Sequence, residues 1–188
     1  MGIMKAVSEM NLPARTDGGL VHVIVDTAQG SRNKYKYDPA LGVFKLSRIL
    51  PSGMNFPFDF GSIPGTVAAD GDALDVMVLT QTPSFVGCLM TVRLIGVIEA
   101  EQTEKRRTLR NDRLLAVVQT PVNSPTVRQL RDLPKIMVDE LEQFFVNYNR
   151  AQGRQFRPIG RRGPQAAQKL LDAGIRQFDR QHSKRPRR

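Results

Sequence analysis

Apolar and polar residues alternate, or gather into short apolar runs, through the first two-thirds of this chain. The last third changes to a spacing of three and four. Leu20-Val21-His22-Val23-Ile24-Val25 is rich in β-branched residues and reads as a strand. Ala28 to Asn33 is a polar loop, Lys34-Tyr35-Lys36-Tyr37 alternates as a second strand, and Asp38-Pro39-Ala40-Leu41-Gly42 is a turn. Val43 to Leu50 alternates again, with Phe44, Leu46 and Arg48 on one side. Pro51 to Pro64 reads as loop. Val76–Leu79, Cys88–Ile98 and Leu114–Val118 are further strands. Many short strands between turns predict a small closed β-barrel, which leaves no exposed sheet edge. Met137, Leu141, Phe144, Phe145 and Tyr148 then recur at helical spacing behind Pro134, a residue suited to the first helical position. Ala167, Leu170, Leu171, Gly174, Ile175 and Phe178 repeat the pattern in a second helix. Both stripes read as packing faces against the barrel, so the fold class is mainly β with α (α+β).

The 188 residues suit one domain, 1–181, with residues 1–18 as a loose N-terminal arm and 182–188 as a basic, disordered tail. The formal charge of +10 is unevenly spread. Residues 1–100 hold 8 Lys/Arg and 9 Asp/Glu, whereas residues 151–188 hold 11 and 2. The C-terminal end reads as a solvated segment that attracts phosphate, and nucleic acid, weakly and without specificity. A single cysteine, Cys88, excludes an internal disulfide and thiolate zinc clusters. Two histidines at opposite ends of the chain, His22 and His182, offer no metal pair. No apolar run reaches membrane-spanning length, and the N-terminus lacks the apolar core of a secretory signal. The expected location is the cytoplasm, with no membrane partner.

The chemistry concentrates in Asp70-Gly71-Asp72-Ala73-Leu74-Asp75, followed at once by the apolar run Val76-Met77-Val78-Leu79. Three carboxylates within six residues repel one another. Two readings are open: an Asp-Gly hairpin turn with solvated charges, or acidic oxygens at a strand entrance that bind a hard divalent cation such as Mg²⁺. Arg48, on one face with Phe44 and Leu46, adds a second signal, because arginine seldom points inward without an anionic partner.

These pieces line up in order. Gly30-Ser31-Arg32-Asn33-Lys34-Tyr35, Arg48, Phe60-Gly61-Ser62-Ile63-Pro64-Gly65-Thr66, the aspartate run, Gly87 and Ile95-Gly96-Val97 together resemble the soluble inorganic pyrophosphatases of the first family. Phe144-Phe145-Val146-Asn147-Tyr148 resembles that family's C-terminal helix. The resemblance implies a five-stranded OB-like closed barrel with C-terminal helices packed on it. It implies hydrolysis of pyrophosphate to two phosphates by metal-activated water, with Mg²⁺ as cofactor, Mn²⁺ as a substitute, and assembly into homo-oligomers. Asp70 and Asp75 would ligate metal and Asp72 would take the proton of the attacking water. Lys34, Arg48, Arg113 and Tyr148 would hold phosphate oxygens. Asp112 would be a further metal ligand, one place late in its loop.

Departures from the family pattern fall in the same pocket. Val25 stands where the family has a glutamate, and Asp26 beside it points to the opposite face unless a bulge intervenes. Lys36 replaces a glutamate and reverses the charge. Phe60 replaces a tyrosine, Asn149 a lysine and Asn111 an aspartate, while Gln102 or Glu101 stands near another metal-binding aspartate. The stretch Glu99–Arg113 carries an apparent insertion. The alternative reading is therefore a catalytically impaired relative that binds phosphate, another phosphorylated compound or nucleic acid.

Overall fold

Five of the strands pair edge to edge until the last meets the first. In a computed structural model that describes residues 12–38, 40–120 and 126–182, β1 (Val21–Thr27) pairs antiparallel with β4 (Asp59–Ile63), and β4 with β5 (Leu74–Leu79). β5 runs parallel to β8 (Arg113–Val118), which pairs with β6 (Leu89–Glu104). β6 returns to β1, so the ring is closed. β2 (Asn33–Asp38) and β3 (Val43–Ile49) form a separate two-stranded hairpin. The five-stranded ring expected from the resemblance is present.

Its membership differs from a reading of the apolar runs. Asp59–Ile63 is a ring strand inside a stretch read as loop. Pro57, Gly61 and Pro64 disguise it, yet Gly61 is what the ring needs. A Cβ there would collide with the carbonyl oxygen of Ile24 on β1. Asp59, fully buried, accepts from the backbone N–H of Gln29 at 2.7 Å and of Ser84 at 3.1 Å, and so ties two loops to this strand. Burial pushes its carboxyl above the usual range.

Side chains from all five ring strands meet in one core: Val21 and Val23, Ile63, Val76 and Val78, Val92 and Leu94, Leu114 and Ala116. The alternate residues Met77, Ile95, Leu115 and Val117 face a second core outside the ring. A fully buried side chain of this size contributes about 1.5–3 kcal/mol, so both cores weigh in the fold. Helix α1 (Lys135–Arg150) covers the outer core with Leu141, Phe145 and Tyr148, which with the buried Val138 form a stripe at steps of three and four. Pro134 stands just before α1, its carbonyl accepting from Met137. Helix α2 (Pro164–His182) closes the inner core with Ala167 and Leu171. Gly174 lets it approach, because a Cβ there would lie 2.6 Å from Leu74.

The last third is not helical throughout. β9 (Gln155–Arg162) lies between the helices and pairs with the outer half of β6. The apparent insertion is a hairpin: β6 turns through Lys105 and Arg106, both at positive φ, into β7 (Arg107–Arg110). The expected loose arm holds no such freedom at residues 12–18. Ala14 is buried, Arg15 bridges to Val21, and the Arg15 guanidinium meets Asp172 of α2 at 2.7 Å. Residues 1–11 of that arm and 183–188 of the expected tail lie outside the described residues. His182, assigned to the tail, belongs to α2 and stacks on Phe178 with ring centroids 3.9 Å apart. Among the described residues no helix is long and apolar enough to cross a membrane.

Gly61→Ala is expected to cost about 1–3 kcal/mol or more through overpacking against β1. Gly18→Ala, where the nearest atom to a new Cβ is 3.8 Å away, is expected to stay within about 0.5 kcal/mol of the parent. Urea denaturation midpoints of the two variants check this.

Candidate active site

A cleft of about 490 Å³ opens between the β2–β3 hairpin and the ring. The hairpin brings Lys34, Lys36 and Arg48 to it, with the rings of Tyr35 and Tyr37. Facing them from the ring and its loops are Asp26, Asp70, Asp72 and Asp75. Arg113 at the start of β8, and Tyr148 and Asn149 near the end of α1, complete the floor. Seven of the eight residues singled out from the sequence therefore share one space, brought from six separate elements and loops.

Lys34 is aimed by aromatic faces. Its ammonium lies 5.1 Å from the ring centre of Phe60 and 5.4 Å from that of Tyr148, within cation–π range. Phe60 therefore keeps a role for its ring where the family pattern has a tyrosine. Arg48 stands opposite Lys34 across the hairpin. It does not share an inward face with Phe44 and Leu46. A register shift between Lys34 and Tyr35 inserts Ser47 as an extra residue, β3 is the solvent-side strand, and Arg48 is exposed at the cleft rim.

Asp26 reaches the cleft through a β-bulge. Val25 pairs with Gly61 and Thr27 with Phe60, so Asp26 is the unpaired extra residue, while Val25 stays in the core. Burial first, then the charge of Asp75, pushes the Asp26 carboxyl up to about 7; Lys34, a 3.5 Å hydrogen bond from Ser62, and Lys36 oppose this. Asp70 is likewise raised by burial. The backbone N–H of Asp72 counters that, and Asp75 and Asp72 add to it.

The three carboxylates of the aspartate run do not converge on one point. Lys36 donates to both oxygens of Asp72 at 2.9 Å. The buried Arg113 pairs with Asp75 and leaves its own Nε without a partner. Among the described residues no three His, Cys, Asp or Glu side chains form a group able to enclose a cation. Asp75 is nonetheless near enough to both Asp26 and Asp70 for its charge to push their carboxyls up. Such oxygen donors, with water completing the shell, fit a hard divalent ion.

Asp112 is the exception among the expected ligands. It lines a smaller cavity of about 200 Å³ behind the aspartate loop. It accepts from the backbone N–H of Ala100 at 2.9 Å and from Arg110 at 2.6 Å. The one-residue offset has a cost here: Asn111 takes the place on the cleft, bonded to Gln102 at 2.9 Å, and Asp112 closes the turn between β7 and β8. Sequence reasoning missed Arg154 and His182, which also line the cleft. Arg154 stands just before β9 and pairs with Glu104 at 3.0 Å, and no local pattern announces either residue.

Comparison with known proteins bears on this geometry. The family model for inorganic pyrophosphatase matches residues 23–179. The chain is 35% identical over 165 residues to an inorganic pyrophosphatase of Geobacillus stearothermophilus, covering 86% of this chain and 96% of the relative. It is 32% identical over 167 residues to one from Synechocystis sp., covering 89% and 96%. The crystal structure of inorganic pyrophosphatase from Thermus thermophilus superposes with a TM-score of 0.82 at 30% identity, over 95% of this chain and 99% of that one. An inorganic pyrophosphatase from Neisseria gonorrhoeae gives 0.81 at 26% identity, over 92% and 98%.

The raised Asp26 carboxyl makes a sign-definite prediction. Its folded pKa of about 7 exceeds the ordinary 3.8, so the folded state binds the extra proton between these values. Its contribution to stability is full below pH 4 and is lost as pH rises toward 7. Asp26→Asn is expected to remove that decline, read from urea denaturation at a series of pH values in the presence of a chelator.

Proposed function

The chain belongs to the inorganic pyrophosphatase family, and on that premise we propose that it hydrolyses inorganic pyrophosphate to two phosphates with a divalent metal, Mg²⁺ first and Mn²⁺ as a substitute. The observation that carries the reading is the cleft itself: Lys34 and Arg48 on one wall, and Asp26, Asp70, Asp72 and Asp75 on the other. Pyrophosphate offers little but charged oxygens to recognise, so cations must do most of the binding. Lys34, held between two rings, and Arg48 at the rim take phosphate oxygens. Arg113 and Tyr148 supply further contacts from the floor.

Asp70 and Asp75 would hold the metal, with Asp26 beside them. When bound, the ion neutralises phosphate charge and acidifies a water. Asp72 accepts the proton of the attacking water. The water oxygen bonds to one phosphorus as the bridging P–O bond breaks, and the second phosphate leaves with the bond's electron pair. Arg48 and Lys34 stabilise the charge that develops on it.

Self-association and a cytoplasmic location form part of this proposal. Exposed apolar side chains support self-association: Leu46 and Ile49 on β3, and Phe85 and Leu89 in and after the loop that precedes β6. Sedimentation equilibrium is expected to return more than one chain per particle.

The direct test is phosphate release from pyrophosphate with and without Mg²⁺. Asp72→Asn is expected to lose about 10²-fold or more in kcat. Lys34→Met and Arg48→Met are each expected to lower kcat/KM by about 10²–10³-fold. Metal-dependent release no greater than that of Asp72→Asn would sink the proposal.

A further inference from the structure

Two of the four aspartates in the cleft already have protein cations. Arg113 serves Asp75 from below, buried among Phe145 and Phe156. Lys36 serves Asp72 from above, reaching from β2 to both carboxylate oxygens at 2.9 Å. Five Lys and Arg side chains line the cleft against these four Asp. Cations of the chain itself therefore already meet part of the negative charge that divalent ions would otherwise meet.

We propose that Lys36 is a resident counter-ion: its ammonium occupies the face of Asp72 that a second divalent ion would otherwise use, and so confines metal binding to the Asp70–Asp75 side of the cleft. The inference rests on the hydrolase reading for its catalytic meaning, though not for its test. Both partners are exposed, each side chain about 63%, so the pair adds little to folding stability. Its effect is on occupancy. A divalent ion about 4 Å from one ammonium in water loses about 30-fold in affinity, about sixfold for each of its two unit charges. The same ammonium links the hairpin wall to the aspartate loop.

The experiment counts Mn²⁺ bound per chain, by calorimetric titration and by electron paramagnetic resonance of the free ion. The chains compared are the parent, Lys36→Gln, Lys36→Glu and Lys36→Arg. Removal of an exposed charge pair leaves the fold intact, which circular dichroism verifies. Lys36→Gln and Lys36→Glu are expected to bind one more ion than the parent, or to bind it at least tenfold more tightly, with glutamate the stronger. Lys36→Arg is expected to match the parent. Identical counts and affinities in all four chains overturn the inference, as does an arginine variant that behaves like the glutamine one. The count needs no turnover. Hydrolysis with unaltered counts in the variants sinks this inference alone. An added ion in a chain that releases no phosphate sinks the hydrolase reading alone.

Discussion

Everything in this molecule is arranged around the sixteen-residue strand β6, because it has to serve four partners. Its first half completes the ring between β1 and β8, and its second half carries β7 on one edge and β9 on the other. The change of partner needs local irregularity. Register shifts fall between Leu94 and Gly96 against β8, and between Glu99 and Ala100 against β9. Gly96 sits at the crossing because a Cβ there would strike Leu130 and the carbonyl oxygen of Arg162. Were β6 shorter, the ring would lose nothing, but β9 would have no edge to join. Arg154 would then leave the cleft rim.

The cleft inherits this division of labour. Its acids stand on the ring and its loops, where hydrogen bonds between strands fix them. Its principal cations stand on a hairpin with its own two-stranded sheet. These separately anchored bodies touch through the Lys36–Asp72 pair, while Lys34 is held apart from the acids by the rings of Phe60 and Tyr148. The aromatic layer of Phe56, Phe60, Phe144 and Tyr148 fills the space beneath them. That layer lowers the local dielectric under Lys34, so its charge is worth more to an anionic substrate than it would be in open solvent.

The ring strands were legible where both faces are buried. Val76–Leu79 and Leu114–Val118 are continuous apolar runs, and no other element suits so short a run between turns. β4 was not legible, since the glycine that permits its close approach to β1 also erases the apolar signal. β9 was hidden by Pro158, Gly160 and three arginines, a composition that an outer strand tolerates and a buried one does not. In the site, the aspartate run announced itself by composition, and Lys34 and Arg48 by resemblance. Asp26 depended on a one-residue bulge, a matter of register that alternation alone leaves open. The joining of Lys36 to Asp72, 36 residues apart, and the arrival of His182 at the rim are products of the closed ring. No local window of sequence contains them.

The chain has three tyrosines and no tryptophan. Tyr35, Tyr37 and Tyr148 all border the same opening. The molecule's intrinsic ultraviolet emission therefore originates at the rim and floor of a single chamber. A ligand that meets those rings in the chamber has a direct route to altering the light the whole protein gives off, with no dye attached.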